Sequence, residues 1–333
     1  MSQRPLHPTE SSPATMRACV FDTTGVEDVL HEAEVPIPSP ILGELLVRIV
    51  AAGINPIDAK TRAGAGVSAA IPGFPSTLGF DFSGVVEKSP FENHPFPSGT
   101  EVFGMLPFPR TGGSYAEYAV VPSLSVARKP AALSHVEAAG VPLAALTAWG
   151  IVVETARAHE GQSILIHAGS GGVGHFAVQF AAYFGARVTA TTSGHNSAWL
   201  RDLGAARVID YTLQRFEDEV ADVDVVIDLV GNTHDETGTR SLDVLRPGGM
   251  YILVPTGSWP GFAEAASSRG LRATSYKVAP DGAALATISR LLESGSIQVY
   301  IDQVFDLADA AAAHTELEKG HTRGKIVLQV SED

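Results

Sequence analysis

Six consecutive residues, Gly169-Ser170-Gly171-Gly172-Val173-Gly174, are arranged to hold a phosphate. Gly169, Gly171 and Gly174 stand at G-x-G-x-x-G spacing. Backbone without side chains lets a pyrophosphate approach, and the free N–H groups at the start of a following helix favour the anion. The same spacing also occurs in turns that bind nothing, so its surroundings matter. An aliphatic run at 163–167 precedes it, and Val173, Phe176, Ala177, Phe180, Ala181 and Phe184 recur behind it at helical steps. A strand, a glycine turn and a helix in that order point to a dinucleotide, with Gly169, Ser170, Gly171, Gly172 and Val173 as its contacts.

The type of dinucleotide is read at the end of the next strand. A carboxylate about twenty residues beyond the turn would grip a ribose 2′-hydroxyl. Here the segment is Thr191-Thr192-Ser193-Gly194-His195-Asn196, with no acid. Hydroxyls and an amide accept a 2′-phosphate without repulsion, and His195 or Arg201 adds charge. NADPH is therefore expected ahead of NADH, with Thr192, Ser193 and His195 near its phosphate.

Those residues need a scaffold of the α/β class. Up to about residue 129 the chain reads as β-rich, with strands expected at 16–21, 44–50, 82–86 and 116–121 separated by proline and glycine turns. From about residue 134 strand and helix signals alternate, which implies a parallel sheet with helical crossovers. Further strands are expected at 187–191, 207–209, 223–227, 249–253 and 271–276, and the tail adds a helix at 308–317 and a strand at 325–330. Residues 1–15 read as a disordered polar leader.

Composition narrows the function further. The 333-residue chain carries a formal net charge of −14 and shows no basic run, which argues against nucleic acid. One cysteine, Cys19, excludes an internal disulfide and a cysteine-rich zinc site. The longest uncharged apolar stretch, 138–153, is too short to span a bilayer. A cytoplasmic protein with no membrane partner is expected.

Several ordered segments resemble the medium-chain dehydrogenase/reductase superfamily, in its zinc-free branch of quinone oxidoreductases and alkenone reductases. They are Ala51-Ala52-Gly53-Ile54-Asn55-Pro56-Ile57-Asp58-Ala59-Lys60, Leu78-Gly79-Phe80-Asp81-Phe82-Ser83-Gly84, Gly112-Gly113-Ser114-Tyr115-Ala116-Glu117-Tyr118, residues 141–149, residues 168–174 and Gly324-Lys325-Ile326-Val327-Leu328. The resemblance implies a GroES-like β-rich catalytic domain from 16–133 and 275–333, a Rossmann domain with a doubly wound parallel sheet at 134–274, and a cleft between them. It also implies a homodimer. Zinc-dependent members hold metal with cysteine, histidine and a third ligand. The matching positions here are Asn55, Gly79-Phe80-Asp81, and Leu143 or Ala144, which offer one acid where about three ligands are needed. No metal site is expected, and His167, His175 and His195 read as surface or turn histidines.

By resemblance Asn55 and Pro56 line the cleft, and the Asn55 amide is a candidate donor to a substrate oxygen. Lys60 is a candidate cation near a developing enolate, Asp58 holds its loop, and Thr147 meets the nicotinamide end of the cofactor. Asn196 and Tyr211 match positions around the 2′-phosphate; many relatives carry lysine in place of Asn196. Val230, Gly231, Val254, Pro255 and Thr256 follow later strands, where cofactor rests beyond the strand ends, and Lys325 reaches the cofactor from the tail. Tyr115 and bulk water are both open as proton source.

Without a Lewis acid, alkoxide chemistry loses its main stabiliser, whereas hydride addition to an activated double bond needs only donors for the resulting enolate. The expected activity is NADPH-dependent, zinc-independent reduction of quinones or α,β-unsaturated carbonyls. The alternatives are an enoyl-thioester reductase and a catalytically silent NADPH-binding or interaction protein.

Overall fold

The structure, a computed structural model, describes residues 14–110 and 112–332. The expected leader falls outside the described residues up to position 13, and Thr15 already lies in the first strand. Along the chain, β1 (Thr15–Phe21), β2 (His31–Pro36), β3 (Glu44–Ile54), α1 (Pro56–Arg62), β4 (Ser76–Thr77), β5 (Asp81–Lys88), β6 (Glu101–Met105), β7 (Tyr118–Pro122) and β8 (Val126–Arg128) form the β-rich part. Then come α2 (His135–Ala139), α3 (Pro142–Trp149), β9 (Ser163–Ile166), α4 (Gly174–Tyr183), β10 (Arg187–Thr192), α5 (Ser197–Asp202), β11 (Arg207–Asp210), β12 (Val223–Asp228), α6 (Thr237–Asp243), β13 (Leu245–Leu253), α7 (Phe262–Ser267), β14 (Arg272–Ser275) and α8 (Gly282–Glu293). The chain closes with β15 (Ile301–Asp306), α9 (Ala310–Glu318) and β16 (Lys325–Gln329).

The strands β9 to β14 form one six-stranded parallel sheet in the order β11-β10-β9-β12-β13-β14. The first strand is central and the order reverses beside it, which is the doubly wound arrangement with a binding crevice at the switch point. Ile164, Leu165 and Ile166 on β9 are fully buried, as a strand covered by helices on both faces must be. The helical stripe of α4 packs onto it through Phe176, Ala177, Phe180 and Ala181, all at 0% exposure. Each buried phenylalanine contributes about 1.5–3 kcal/mol relative to an exposed one.

The β-rich part has a seven-stranded sheet, with β15-β16-β3-β5-β6-β8 in order and β7 paired to β3, and a three-stranded sheet β2-β1-β4. The two last strands of the chain thus join the first part. β16 runs antiparallel to β3 with Ile326 opposite Ile54 and Val327 opposite Gly53. Gly53 needs its missing side chain, because a Cβ there would meet the Ala139 carbonyl at 2.3 Å. This return of the tail sets Lys325 next to the end of β3 and the start of α1.

Candidate active site

The turn after β9 closes tightly. Gly174 lies against backbone: a Cβ on it would stand 2.1 Å from the Ala168 carbonyl oxygen. Gly171 differs, since its Cβ would meet only that same oxygen, at 3.4 Å. Gly174 therefore serves packing, and Gly171 leaves room over the turn. The left-handed residue here is Ala168, at φ 51°. His175 fastens the turn from below, its Nδ1 donating to the Gly171 carbonyl at 3.0 Å.

His167 and His175, expected at the surface or in turns, are 1% and 0% exposed, which corrects that expectation. His167 is enclosed by Phe216, Thr191 and Ser241 of α6, and His175 by Phe176 and Trp199. His167 bonds Thr191 Oγ1 at 3.1 Å and Ser241 Oγ at 2.9 Å. Burial lowers both rings below the ordinary histidine range, His175 to about 4. His195 is exposed.

At the end of β10, Thr192 is buried and donates to Ser170 Oγ at 2.8 Å, so the strand end and the glycine turn are joined. Ser193 Oγ and His195 Nδ1 lie 3.3 Å apart. Tyr211 is exposed, and its N–H donates to the Thr192 carbonyl at 3.1 Å. Asn196 is 2% exposed. The Asp210 carboxylate from β11 lies against Gly194, where a Cβ would meet its Oδ2 at 2.3 Å. Sequence reading did not anticipate this acid, because it reaches the turn from the neighbouring strand.

Beyond β12, the Val230 and Gly231 N–H groups both donate to Asp228 Oδ1, at 2.7 and 2.8 Å, and the Tyr251 hydroxyl donates to its Oδ2 at 2.5 Å. Val254, next to β13, donates its N–H to the Asp228 carbonyl at 3.0 Å. Pro255 is half-buried and Thr256 exposed beside it. One buried residue, Asp228, thus shapes the loops at two adjacent strand ends, through its carboxylate after β12 and through its carbonyl after β13.

Four buried polar atoms lack a hydrogen-bond partner near this corner: His175 Nε2, Asn196 Oδ1, Thr322 Oγ1 and Arg323 Nε. The Arg323 guanidinium lies over two adjoining rings, 4.2 Å from Trp199 and 4.4 Å from Tyr300, which are themselves tilted together at 5.2 Å. His175 in turn stacks on Trp199. Thr322 and Arg323 were not anticipated, since nothing local in His321-Thr322-Arg323 marks them. They become visible only where the tail folds back, with the Gly324 N–H donating to the Ser170 carbonyl at 2.9 Å.

The second half of the site lies where β3 meets α1. Asn55 caps α1, and its N–H donates to Asp58 Oδ2 at 2.8 Å. Its amide Nδ2 donates to Asp81 Oδ2 at 2.9 Å, and its Oδ1 accepts from Lys325 Nζ at 2.5 Å. Lys325 also donates to the Ile54 carbonyl at 2.8 Å and pairs with Asp81 at 3.6 Å. Asp81 Oδ1 accepts from the Leu143 N–H at 2.7 Å. Asn55, Asp58, Asp81 and Lys325 are all 3% exposed or less. Burial pushes the Asp58 carboxyl up to about 7 and the Asp81 carboxyl upward, and pushes the Lys325 ammonium down. The opposite charges of Asp81 and Lys325 work against those shifts.

The positions matching zinc ligands, Asn55, Asp81 and Leu143, therefore converge, but on the Asp81 carboxylate, where the Lys325 ammonium joins Asn55 and Asp81. Both Asp81 oxygens are already engaged, and Leu143 offers only a backbone N–H. Among the described residues no group of three His, Cys, Asp or Glu could hold a metal. These residues do not fit zinc.

The Lys325 stem lies on the glycine turn, 3.2 Å from where a Gly172 Cβ would be, while its ammonium points to Asn55 and Asp81. Thr147 on α3 is buried, and its hydroxyl donates to the Leu143 carbonyl at 2.7 Å, one turn back. Pro56 opens α1. Lys60 sits on the exposed side of α1, outside the buried cluster. Tyr115 is fully buried with its hydroxyl 3.2 Å from His314 Nε2, so it does not face the cleft as a proton donor would. A separate cavity of about 390 Å³, lined by Arg157, Gln162, Asp224, Arg246 and Arg272 among others, lies at the amino ends of the parallel strands. Ligands of doubly wound sheets bind at the opposite, carboxyl ends.

Comparison with known proteins agrees with this architecture. Residues 42–131 match the alcohol dehydrogenase GroES-like domain family, and residues 203–328 match the zinc-binding dehydrogenase family. The chain is 37% identical to 2-methylene-furan-3-one reductase of Solanum lycopersicum, over 96% of this chain and 80% of that protein. It is 34% identical to the mitochondrial NAD(P)H oxidoreductase RTN4IP1 of Danio rerio, over 96% of this chain and 92% of that one. The solved quinone oxidoreductase of Coxiella burnetii superposes with a TM-score of 0.90 at 36% identity, covering 96% of this chain and 100% of that chain. With a doubly wound nucleotide sheet, a GroES-like partner and an ammonium where metal-dependent members place zinc ligands, the chain is an oxidoreductase enzyme belonging to the zinc-free quinone oxidoreductase and alkenone reductase branch of the medium-chain dehydrogenase/reductase superfamily.

Proposed function

We propose that this enzyme uses NADPH to reduce quinones or α,β-unsaturated carbonyl compounds, without zinc. Bound NADPH supplies the hydride. The observation that carries the reading is the buried Lys325–Asn55–Asp81 cluster next to a glycine turn built for a dinucleotide.

The open face of Gly171 and the start of α4 receive the pyrophosphate, with Gly169, Ser170, Gly172 and Val173 completing the turn. Thr192, Ser193, His195, Asn196 and Tyr211 surround the adenosine end. The unpartnered Arg323 Nε and Thr322 Oγ1 are suited to an anionic, hydrogen-bonding ligand. Val230, Gly231, Val254, Pro255 and Thr256 shape the far side, and Pro56 and Thr147 flank the nicotinamide end. Preference for NADPH rests on the absence of an acid at the end of β10 itself.

Hydride addition sends negative charge to the substrate oxygen. One N–H of the Asn55 amide is committed to Asp81, and the other is uncommitted in the described hydrogen bonds. An amide whose oxygen accepts from an ammonium is polarised and donates more strongly. Lys325 thus acts on the substrate oxygen through Asn55, and its stem keeps the pair aligned with the glycine turn. Lys60, exposed on α1, adds long-range positive charge. Solvent delivers the proton, since Tyr115 is enclosed.

Homodimer formation is part of the proposal and is supported by the terminal β14, whose outer edge is unpaired in the sheet order. Among the described residues no helix is long and apolar enough to cross a membrane. The cytoplasmic expectation is tested by fractionation, because the Danio rerio relative is named as mitochondrial.

The deciding experiment follows NADPH and NADH oxidation across quinones, enones and enoyl thioesters, with elemental analysis of the purified protein. Turnover of quinones or enones with NADPH, and less than a tenth of an equivalent of zinc, is expected on the one-ion requirement of such sites. Absence of turnover with every class sinks the assignment. Turnover confined to thioesters replaces the substrate class.

A further inference from the structure

The cavity at the amino ends of the parallel strands is built by five separate segments. Arg157 follows the helical turn Gly150–Thr155, and Gln162 stands one residue before β9. Asp224, Arg246 and Arg272 lie at the starts of β12, β13 and β14. The volume of about 390 Å³ falls within the range of about 300–1,000 Å³ usual for small-molecule pockets. Its charged lining is Arg157, Arg246 and Arg272 against Asp224 and Glu154, which leaves one net positive charge in a chain that is acidic as a whole.

Two of the three guanidinium groups have no carboxylate partner. Asp224 is already engaged: its Oδ2 accepts the Ser163 N–H at 2.8 Å, and its Oδ1 accepts Arg246 Nε at 2.5 Å. Arg272 gives only its Nε, to the Gly248 carbonyl at 3.1 Å. The Arg157 side chain makes no hydrogen bond or ion pair among the described residues. Its backbone stands at φ 52°, in the left-handed region that favours glycine, yet it carries a long cationic side chain. Gln162 is the buried polar member of the lining, at 8% exposure. Its Nε2 donates to the Ala156 carbonyl at 3.2 Å, and its Oε1 is buried without a partner. The cavity thus offers two free donor forks and one amide oxygen that lacks a donor.

We propose that this cavity is a second ligand site, which takes a phosphate monoester of a sugar or other polyol. A phosphate monoester carries close to two negative charges near neutral pH and three acceptor oxygens. The planar forks of Arg157 and Arg272 suit those oxygens. A single carboxylate carries one charge and leaves one fork unmatched. A hydroxyl of the ester supplies the donor that Gln162 Oε1 lacks. The glycine turn serves the opposite, carboxyl ends of the strands, so the two sites are separate and the proposal does not rest on the proposed reaction. A bound ester ties the starts of β13 and β14 to the turn at Arg157 and stabilises the folded chain.

Titration calorimetry and thermal melts of the full chain test it, with glucose 6-phosphate as the probe and glucose and methyl phosphate as controls, each with and without saturating NADPH. Glucose 6-phosphate is expected to bind one equivalent, to raise the melting temperature, and to keep the same Kd when NADPH is present. Glucose should not bind, and methyl phosphate should bind more weakly. Arg157→Gly removes one fork and suits the left-handed backbone, so the fold is kept. Arg272→Gln removes the other fork and retains a side-chain donor. Each should weaken glucose 6-phosphate about tenfold, as expected for one charge-assisted hydrogen bond, with the Kd for NADPH unchanged. Glu154→Gln removes the opposing charge and should tighten binding. The proposal is overturned if no binding is seen at about 10 mM probe, well above a Kd of about 1 mM. It is equally overturned if NADPH displaces the probe, if either control binds as tightly, if neither arginine variant alters the affinity, or if Glu154→Gln weakens it.

Discussion

Lys325→Met keeps most of the side-chain length and removes the charge. In the folded protein this strands the Asp81 carboxylate, which is fully buried and otherwise held by Asn55 Nδ2 and the Leu143 N–H. Breaking a buried pair from one side costs about 3–5 kcal/mol. The carboxyl escapes part of that cost by taking a proton, and this makes the effect depend on pH. Its folded pKa is already above the unfolded value and rises further without the ammonium. A raised acid pKa costs nothing below the unfolded value of about 3.9, and then about 1.4 kcal/mol per pH unit up to the folded pKa. The loss in Lys325→Met must therefore be larger at high pH than at low. Asp81→Asn should show the opposite slope, because a stranded ammonium sheds its charge as pH rises. The double variant leaves no lone charge and should lie within about 2 kcal/mol of wild type, less damaged than either single change. Urea denaturation near the two ends of the range from pH 5 to 8 measures all four proteins. Equal losses at both pH values, or additive losses in the double variant, would falsify the buried-pair account.

Gly171→Val fills space open above the turn and should weaken NADPH binding at least about tenfold, on the close approach the pyrophosphate needs, with the melting temperature nearly unchanged. Calorimetric titration checks it, and intact affinity in a folded variant removes the turn from the site. Ser193→Glu supplies the acid that the end of β10 lacks and should weaken NADPH by about 1–2 kcal/mol through charge repulsion at intermediate dielectric, while NADH binding holds or improves. A parallel fall for both cofactors would show that Ser193 does not face the 2′-phosphate. His175 is buried neutral with its pKa lowered to about 4. Its folded pKa lies below the unfolded value, so stability is lost as pH falls from about 6.5 towards about 4. His175→Gln should flatten that acid limb relative to wild type by up to about 1.4 kcal/mol per pH unit. Thermal melts across this range measure the slopes, and identical slopes contradict the burial argument.

The glycine turn, its flanking strand and the stripe of α4 were legible because each is local. A period of 3.6 residues and a run of aliphatics need no partner to be seen. The same holds for most parallel strands, and for the ligand types missing at Asn55, Phe80-Asp81 and Leu143. Short strands such as β2, β6 and β15 were not anticipated, since their pattern is weak without the neighbours that pair with them. Burial of His167 and His175 was also misread, because a histidine looks the same in sequence whether packing encloses it or not.

What the sequence determined alone is that a glycine turn opens a helix and that the positions Asn55, Gly79-Phe80-Asp81 and Leu143 or Ala144 offer one acid where about three ligands are needed. The tertiary structure alone decided what takes the place of the ligands. Lys325 and Asn55 are 270 positions apart and meet only because β16 returns to pair with β3. The same return places Arg323 over Trp199 and Tyr300, and α9 behind Tyr115. Long-range antiparallel pairing fixes which residues face one another, and neither composition nor periodicity carries that register.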